Sequence, residues 1–266
     1  MTPLLAIEKL EVVYKRSITA VQGISLSMDA GKIIAILGNN GAGKTTVLRA
    51  ISGFLGIDDA RVTDGSIAFK GRPIANRTPN EIARLGVMLV PERDKVFPNL
   101  TVAENLAAPL ALGADRVERR RREALVYEFF PRLAELKARI GGLLSGGERQ
   151  MLGLGSALVC HPELLLVDEL SLGLAPLVVD DLMERLVHIR RELGISIAIV
   201  EQNATVALAI ADYGYVLENG RVVLEGDAER LRNHNEIKEF YLGQVGGERR
   251  SYRTVKQYRR SRRWYG

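Results

Sequence analysis

Residues 38–45 read Gly38-Asn39-Asn40-Gly41-Ala42-Gly43-Lys44-Thr45, which matches the pattern G-x-x-x-x-G-K-[ST]. The apolar run Ile33–Leu37 precedes them at strand length, and a helical pattern, Lys44–Ile51, follows. Glycines let the backbone curl so that successive N–H groups point inward, where they can hold phosphate oxygens. Because the following helix presents its positive end to the same anion, the pattern predicts a phosphate-binding loop rather than an ordinary glycine-rich turn.

Two side chains of this loop and two later acids have the chemistry of a phosphoryl-transfer site. Lys44 adds positive charge at the terminal phosphates, and Thr45 offers a hydroxyl to Mg²⁺. The apolar run Leu164–Val167 ends in Asp168 and Glu169. In α/β folds ligands bind where buried strands end, so we expect Asp168 to face Mg²⁺ and Glu169 to accept a proton from an attacking water. The alternative is a pair of solvated acids at a strand end.

The order of elements predicts an α/β fold with several parts. Four short apolar runs separated by helical patterns indicate a parallel sheet covered on both faces: Ile33–Leu37, Val87–Val90, Leu164–Val167 and Ile195–Val200. Pro176–Leu193 has the pattern of an amphipathic helix. The strand patterns Leu5–Tyr14 and Gly65–Lys70, and a hairpin turn at Asn219-Gly220, predict additional antiparallel sheet. No strand pattern is evident from Pro98 to Ile140, which predicts a helical subdomain.

Composition excludes several classes of protein. The chain has 266 residues, 47% hydrophobic and 26% charged, which is typical of a globular protein. No apolar run approaches 18 residues, and the N-terminus lacks a signal-peptide pattern. The single cysteine, Cys160, cannot form an internal disulfide, which favours a reducing compartment.

The positive charge is concentrated in residues 247–266, which hold eight basic residues and one acid. The net charge of this segment is +7 and that of the whole chain is +5, so the other 246 residues have a net charge of −2. We expect a disordered tail after residue 246. It is either a solvated extension or, because aromatic residues are interleaved, a contact for anionic lipid, with nucleic acid as the last choice.

A second glycine-rich element, Leu144–Gln150, reads LSGGERQ. Ser145 and Glu148 form the S-x-x-E capping box, which predicts a helix running towards Ala157. The bare N–H groups of Gly146 and Gly147 at its start would make another anion site.

With the phosphate loop, LSGGERQ and LLLVDE (164–169) in this order, residues 4–243 resemble the ATP-binding cassette (ABC) family. The resemblance implies the ABC ATPase fold: a P-loop NTPase parallel-sheet core with an antiparallel β-subdomain and an inserted α-helical subdomain at about residues 93–155, all within residues 1–246. It implies ATP and Mg²⁺ as ligands. It also implies a head-to-tail pair of cassettes, in which Ser145, Gly146 and Gly147 act on the partner's ATP.

The resemblance assigns further roles by position. Tyr14 lies where an aromatic ring stacks on adenine, unless it is a plain strand tyrosine, and Thr46 extends the phosphate loop. Glu92 stands where the family usually has a glutamine that contacts Mg²⁺ or water. Gln202 occupies the position of the usual switch histidine. The implied catalytic set is Glu169, Gln202 and Glu92, and the implied metal set is Thr45, Asp168 and Glu92.

Several motifs are similar to those of the LivF type of branched-chain amino acid importer, in which the departures at Glu92 and Gln202 are usual. These motifs are VPE, VFPNLTVAENL, SLGLAP, VEQNA and GYVLENGRVVLEG. The similarity implies an ATPase at the cytoplasmic face of the inner membrane that energises uptake through two permease subunits, supplied by a periplasmic solute-binding protein. Val96, Phe97, Pro98 and Leu100 would contact the permease, or they only pack the subdomain. The similarity leaves open whether the cargo is instead urea, a short amide or another small solute. It also leaves open whether the two cassettes form a homodimer or a heterodimer.

Two other functions are weaker interpretations. A cytosolic ABC ATPase acting on nucleic acid or ribosomes would usually have two cassettes or a long coiled-coil insertion, and only the basic tail favours it. A nucleotide sensor without turnover is disfavoured because Lys44, Asp168 and Glu169 are all present. The absence of an N-K-x-D element argues against a GTPase.

Overall fold

The structure of the chain, a computed structural model, describes residues 2–93, 95–109 and 116–233. The predicted tail, 247–266, and the boundary at residue 246 lie outside the described residues.

Ten strands form two sheets. Their bounds are β1 Leu5–Tyr14, β2 Ile18–Met28, β3 Ile33–Gly38, β4 Ala60–Phe69, β5 Arg72–Pro73, β6 Val87–Val90, β7 Leu164–Asp168, β8 Ser196–Glu201, β9 Tyr213–Glu218 and β10 Arg221–Asp227. One sheet is antiparallel, in the order β2-β1-β4-β5. The other has the order β10-β9-β3-β8-β7-β6 and is parallel except for β10.

Nine α-helices lie in the described ranges. Their bounds are α1 Lys44–Ser52, α2 Pro79–Arg84, α3 Val102–Ala107, α4 Arg116–Phe129, α5 Pro131–Glu135, α6 Gly146–Leu158, α7 Pro176–Leu193, α8 Ala204–Ile210 and α9 Ala228–Asn233. None of these helices combines the length and the hydropathy that a bilayer crossing requires.

The central strands are buried along their whole length, which explains why they read as continuous apolar runs. Successive residues of β3 alternate between two cores. Ile33, Ala35 and Leu37 pack with the helical side, and Ile34 and Ile36 pack with the antiparallel sheet. The predicted parallel sheet covered on both faces is therefore confirmed.

Most predicted elements are present. Helix α7 has the predicted bounds, the hairpin at Asn219-Gly220 joins β9 and β10, and the strand predicted at Gly65–Lys70 is the end of the longer β4. Between Pro98 and Ile140, the described residues contain helices and a single bridge between Thr101 and Ile140. Helix α6 continues past residue 155 to Leu158, and the subdomain boundary stays a prediction.

Candidate nucleotide-binding site

The predicted site residues converge at the carboxyl edge of the parallel sheet. Strands β3, β7 and β8 are neighbours, so the loop after β3, the acids at the end of β7 and the residues after β8 meet there. They surround a cleft of about 650 Å³. The cleft is lined by Ala20, Asn40, Gly41, Ala42, Gly43, Lys44, Thr45, Thr46, Glu92, Arg93, Glu169, Leu172 and Gln202.

Two glycines of the phosphate loop are required by its geometry. Gly43 precedes α1 with φ +100°, and a Cβ there would lie 3.0 Å from the carbonyl oxygen of Ala20. A Cβ on Gly38 would lie 2.5 Å from the carbonyl oxygen of Leu217. Helix α1 begins without a side-chain cap, so no side-chain oxygen competes with an anion for its first N–H groups.

Lys44 is buried and directed back across the loop. Its Nζ donates to the carbonyl oxygen of Gly38 at 2.8 Å and, more weakly, to that of Asn39 at 3.4 Å. It also forms an ion pair with Oε1 of Glu169 at 3.1 Å. The loop thus holds one buried positive charge beside the predicted catalytic acid. A phosphate placed in the cleft would compete with Glu169 for that charge.

Glu169 adopts an unusual backbone conformation, with φ +49°. A left-handed conformation is uncommon for a residue other than glycine, and such strain persists where neighbouring contacts enforce it. The backbone N–H of Glu169 donates to the carbonyl oxygen of Val200 at 2.9 Å, and Oε2 accepts from the backbone N–H of Gln202 at 3.2 Å. The end of β8 therefore fixes this carboxylate.

Asp168 and Thr45 offer hard oxygen ligands side by side. The Thr45 hydroxyl donates to Oδ1 of Asp168 at 3.2 Å. Burial raises the pKa of Asp168 to about 6, and the nearby charges of Glu169 and Glu92 act in the same direction, against the Thr45 bond and Lys44. Nearby positive charge would favour the ionised form.

These residues fit a Mg²⁺ ion that a nucleotide helps to hold. Within the described ranges no three Asp, Glu, His or Cys side chains are grouped closely enough to hold a metal by themselves. Mg²⁺ commonly uses one or two carboxylates together with substrate phosphates, which matches Thr45 and Asp168 beside a phosphate loop.

Tyr14 and the LSGGERQ segment are not among the described residues that line the cleft. The Tyr14 hydroxyl is 3.3 Å from Oγ1 of Thr46, which places the ring beside the start of α1. Ser145, Gly146 and Gly147 are not among the described residues that line the cleft. Within one chain, the structure does not bring this segment to Lys44.

The start of α6 has the predicted capping box. Oγ of Ser145 accepts from the N–H of Glu148 at 3.3 Å, and the Glu148 carboxylate accepts from the N–H of Ser145 at 2.9 Å. These bonds, led by the backbone bond of Ser145, lower the pKa of Glu148. A Cβ on Gly147 would lie 2.7 Å from Cγ1 of Val178, so this glycine also permits close packing against α7.

Two charged residues near the cleft, Lys95 and Glu201, are not among the site residues predicted from the sequence. The Lys95 ammonium donates to the side-chain oxygen of Gln150 on α6, and its charge faces Asp168, Glu92 and Glu201. Burial lowers the pKa of Lys95 to about 8. Lys95 reads as an ordinary solvated charge in the sequence. Glu201 had a signal, because it ends the apolar run Ile195–Val200 as Asp168 ends another.

Comparison with known families agrees with this architecture. Residues 21–171 match the family model described as ABC transporter. The chain therefore belongs to the ABC transporter family, within which it is the ATP-hydrolysing, nucleotide-binding subunit.

Particular relatives are similar along most of the chain. The "High-affinity branched-chain amino acid transport ATP-binding protein BraG" of Pseudomonas aeruginosa is 38% identical over 240 residues, 90% of this chain and 100% of the relative. The "Probable branched-chain amino acid transport ATP-binding protein LivF" of Archaeoglobus fulgidus is 36% identical over 84% of this chain and 92% of its own length. The solved ADP conformation of MJ1267, "an ATP-binding cassette of an ABC transporter", is 26% identical with a TM-score of 0.77, covering 92% of this chain and all of that chain.

Proposed function

We propose that this ATPase energises the import of branched-chain amino acids through separate permease subunits. The observation that carries the hydrolytic part is the single cleft in which Lys44, Glu169 and Gln202 meet. The proposed cargo is supported by the two relatives named as branched-chain amino acid transport ATP-binding proteins, BraG and LivF, which match most of this chain and most of their own length. Peripheral attachment at the cytoplasmic face of the membrane and a solute-binding protein outside it complete the proposed assembly.

The predicted site residues of the cleft have proposed parts in hydrolysis. The phosphate loop and the start of α1 bind the phosphates, and Lys44 exchanges its ion pair with Glu169 for contact with them. The released Glu169 carboxylate orients and deprotonates the attacking water. Thr45 and Asp168, with Glu92 nearby, would hold Mg²⁺, whose positive charge would offset the negative charge of the phosphate oxygens.

Tyr14 and Gln202 have supporting parts in this proposal. Tyr14 stacks on the adenine ring, beside Thr46. The backbone of Gln202 holds Glu169, and its side chain, which can both donate and accept, contacts the water or the γ-phosphate.

A second cassette completes the proposed site. Because Ser145–Gly147 do not line the cleft of their own chain, we assign them to the ATP of a partner in a head-to-tail dimer. Capture of the dimer by ATP and its release after hydrolysis would drive the permease.

Replacement of the proposed catalytic acid tests the hydrolytic role. We expect Glu169→Gln to bind MgATP within a few-fold of the original chain, to hydrolyse it about 100-fold more slowly or worse, and to accumulate an ATP-bound dimer. Binding is measured by calorimetry, hydrolysis by phosphate release and the dimer by light scattering. Glu163→Gln is the matched control, because Glu163 directly precedes β7 and so lies at the amino edge of the sheet, opposite the cleft. Hydrolysis by Glu169→Gln at the rate of the control would refute the role of Glu169.

Uptake into proteoliposomes tests the cargo. The assembled transporter, containing this chain, its two permease subunits and a solute-binding protein, should take up labelled leucine, isoleucine or valine only with MgATP inside. Assemblies containing Glu169→Gln provide the inactive control. Uptake of urea or acetamide in place of these amino acids would assign the other proposed cargo.

A further inference from the structure

Glu201 is a fully buried carboxyl group that the proposed hydrolysis does not use. It ends β8, a strand that lies between β3 and β7, and its relative exposure is 0%. A buried acid is costly unless its oxygens are bonded. Its partners therefore indicate what it holds in place.

Both oxygens of Glu201 bind the same residue. Oε1 accepts from the backbone N–H of Ser171 at 2.9 Å, and Oε2 accepts from the Ser171 hydroxyl at 2.6 Å. Ser171 lies two residues after Glu169 in the turn that leads to α7. Glu201 therefore fastens this turn to the end of β8.

The neighbours of Glu201 along the chain hold Glu169 itself. The carbonyl oxygen of Val200 accepts from the N–H of Glu169, and the N–H of Gln202 donates to Oε2 of Glu169. Three consecutive residues of one segment thus bind the turn that contains the acid. Because Glu169 has a positive φ, these bonds oppose its relaxation to a commoner conformation.

We propose that Glu201 is a positioning residue for ATP hydrolysis, which holds Ser171 so that the Glu169 carboxylate keeps its orientation at the cleft. The charges that face Glu201 are those of Glu169 and Lys95. Burial raises the pKa of Glu201 to about 7, while both Ser171 bonds lower it. This inference rests on the hydrolytic role proposed for Glu169.

A double-mutant cycle with Glu201→Gln and Ser171→Ala tests the proposal. Either change should lower kcat by about tenfold or more and leave KM for MgATP within about twofold, because a small misplacement of a reacting group slows chemistry more than binding. The double variant should be no slower than the slower single variant, since both changes act on the bond between the Ser171 hydroxyl and the Glu201 carboxylate. Glu163→Gln is the control. Additive losses, an unchanged kcat, or an equal loss through KM would overturn the proposal.

Amide hydrogen exchange gives a second measurement that does not need activity. In Ser171→Ala, the backbone N–H of Gln202 should lose protection relative to the original chain, while amides in β1 keep theirs. Unchanged protection of Gln202 would overturn the fastening role even if Glu201→Gln does not fold. If Glu169→Gln hydrolyses ATP normally, the role of Glu169 fails, and the exchange result still decides whether Glu201 and Ser171 hold the turn.

Discussion

Helices α1 and α6 both begin at glycine-rich turns, but their first turns are built differently. Helix α1 follows Gly43, has no side-chain cap and has no acid in its first turn. Helix α6 is capped by the side chain of Ser145, and its first turn contains Glu148, which also forms an ion pair with Arg132 at 3.0 Å.

The difference separates a helix start that can hold an anion within one chain from one that, in the proposed dimer, only adds to an ATP already held by the partner. At α1, donors and the Lys44 ammonium are concentrated beside the cleft. At α6, Glu148 is a negative charge where an anion would approach, and Gly147 is used for contact with Val178. A glycine-rich helix start therefore favours phosphate on its own only when its cap and charges leave the N–H groups available.

The largest expected effect comes from removing the charge that distinguishes α1. Lys44→Met should weaken MgATP binding by about 100-fold or more. It should also lower the free energy of unfolding by about 3 kcal/mol or more, because Glu169 would be left buried without its ion pair. Calorimetry and denaturant unfolding measure the two effects. Lys32→Met removes an exposed lysine paired with Asp212 and should change neither greatly. Tight MgATP binding by Lys44→Met would show that the Lys44 charge does not make the start of α1 a phosphate site.

Two acids, Glu201 at the end of β8 and Glu148 at the start of α6, should respond to pH in opposite directions. The pKa of Glu201 is raised from 4.5 to about 7, so the unfolded chain loses this proton first as pH rises. Stability should then fall between about pH 4.5 and pH 7, by on the order of 3 kcal/mol. The pKa of Glu148 is lowered, so its contribution is present at neutral pH and lost as pH falls through the acidic range.

Urea unfolding across pH measures both slopes. Glu201→Gln should flatten the decline towards neutral pH, and Glu148→Gln should flatten the decline in acid. The same neutral decline in the original chain and in Glu201→Gln would contradict the assignment.

A smaller effect tests the packing role of the α6 glycine. Gly147→Ala should lower the free energy of unfolding by about 2 kcal/mol, because the new methyl group would meet Cγ1 of Val178. Adding Val178→Ala should relieve the contact and recover part of that loss. Gly56→Ala, where nothing lies within 4 Å of the new Cβ, is the control. Equal stability of Gly147→Ala and Gly56→Ala would show that α6 does not need a glycine at position 147 to pack against α7.

The sequence predicted best the parts in which local pattern and tertiary structure agree. The central strands are apolar on both faces, and α7 is bounded by Pro176 and followed by Gly194, so their limits could be inferred. Strand β2 was not predicted, although Ile24–Met28 alternates buried and exposed residues as strands do; Gly23, with φ +71°, interrupts the alternation before it. The helical subdomain predicted between Pro98 and Ile140 contains α3, α4 and α5, and Pro131 begins α5 as a separate helix.

The candidate site divides in the same way. The phosphate loop and Asp168 are contiguous with strong strand signals, so their chemistry could be inferred from spacing. The contacts of Lys95 with Gln150 and of Glu201 with Ser171 join residues 55 and 30 positions apart. Such pairs have no signal in one sequence, because only the folded chain brings them together.

The position of β3 has a consequence for how the chain acquires ATP affinity. Its two sheet neighbours, β8 and β9, come from residues 196–218, about 160 positions later. During synthesis from the N-terminus, the phosphate loop therefore exists long before the strands that support it. Nucleotide binding can thus serve as a late marker of assembly, and a ribosome-bound chain that stops before Ser196 should lack that affinity.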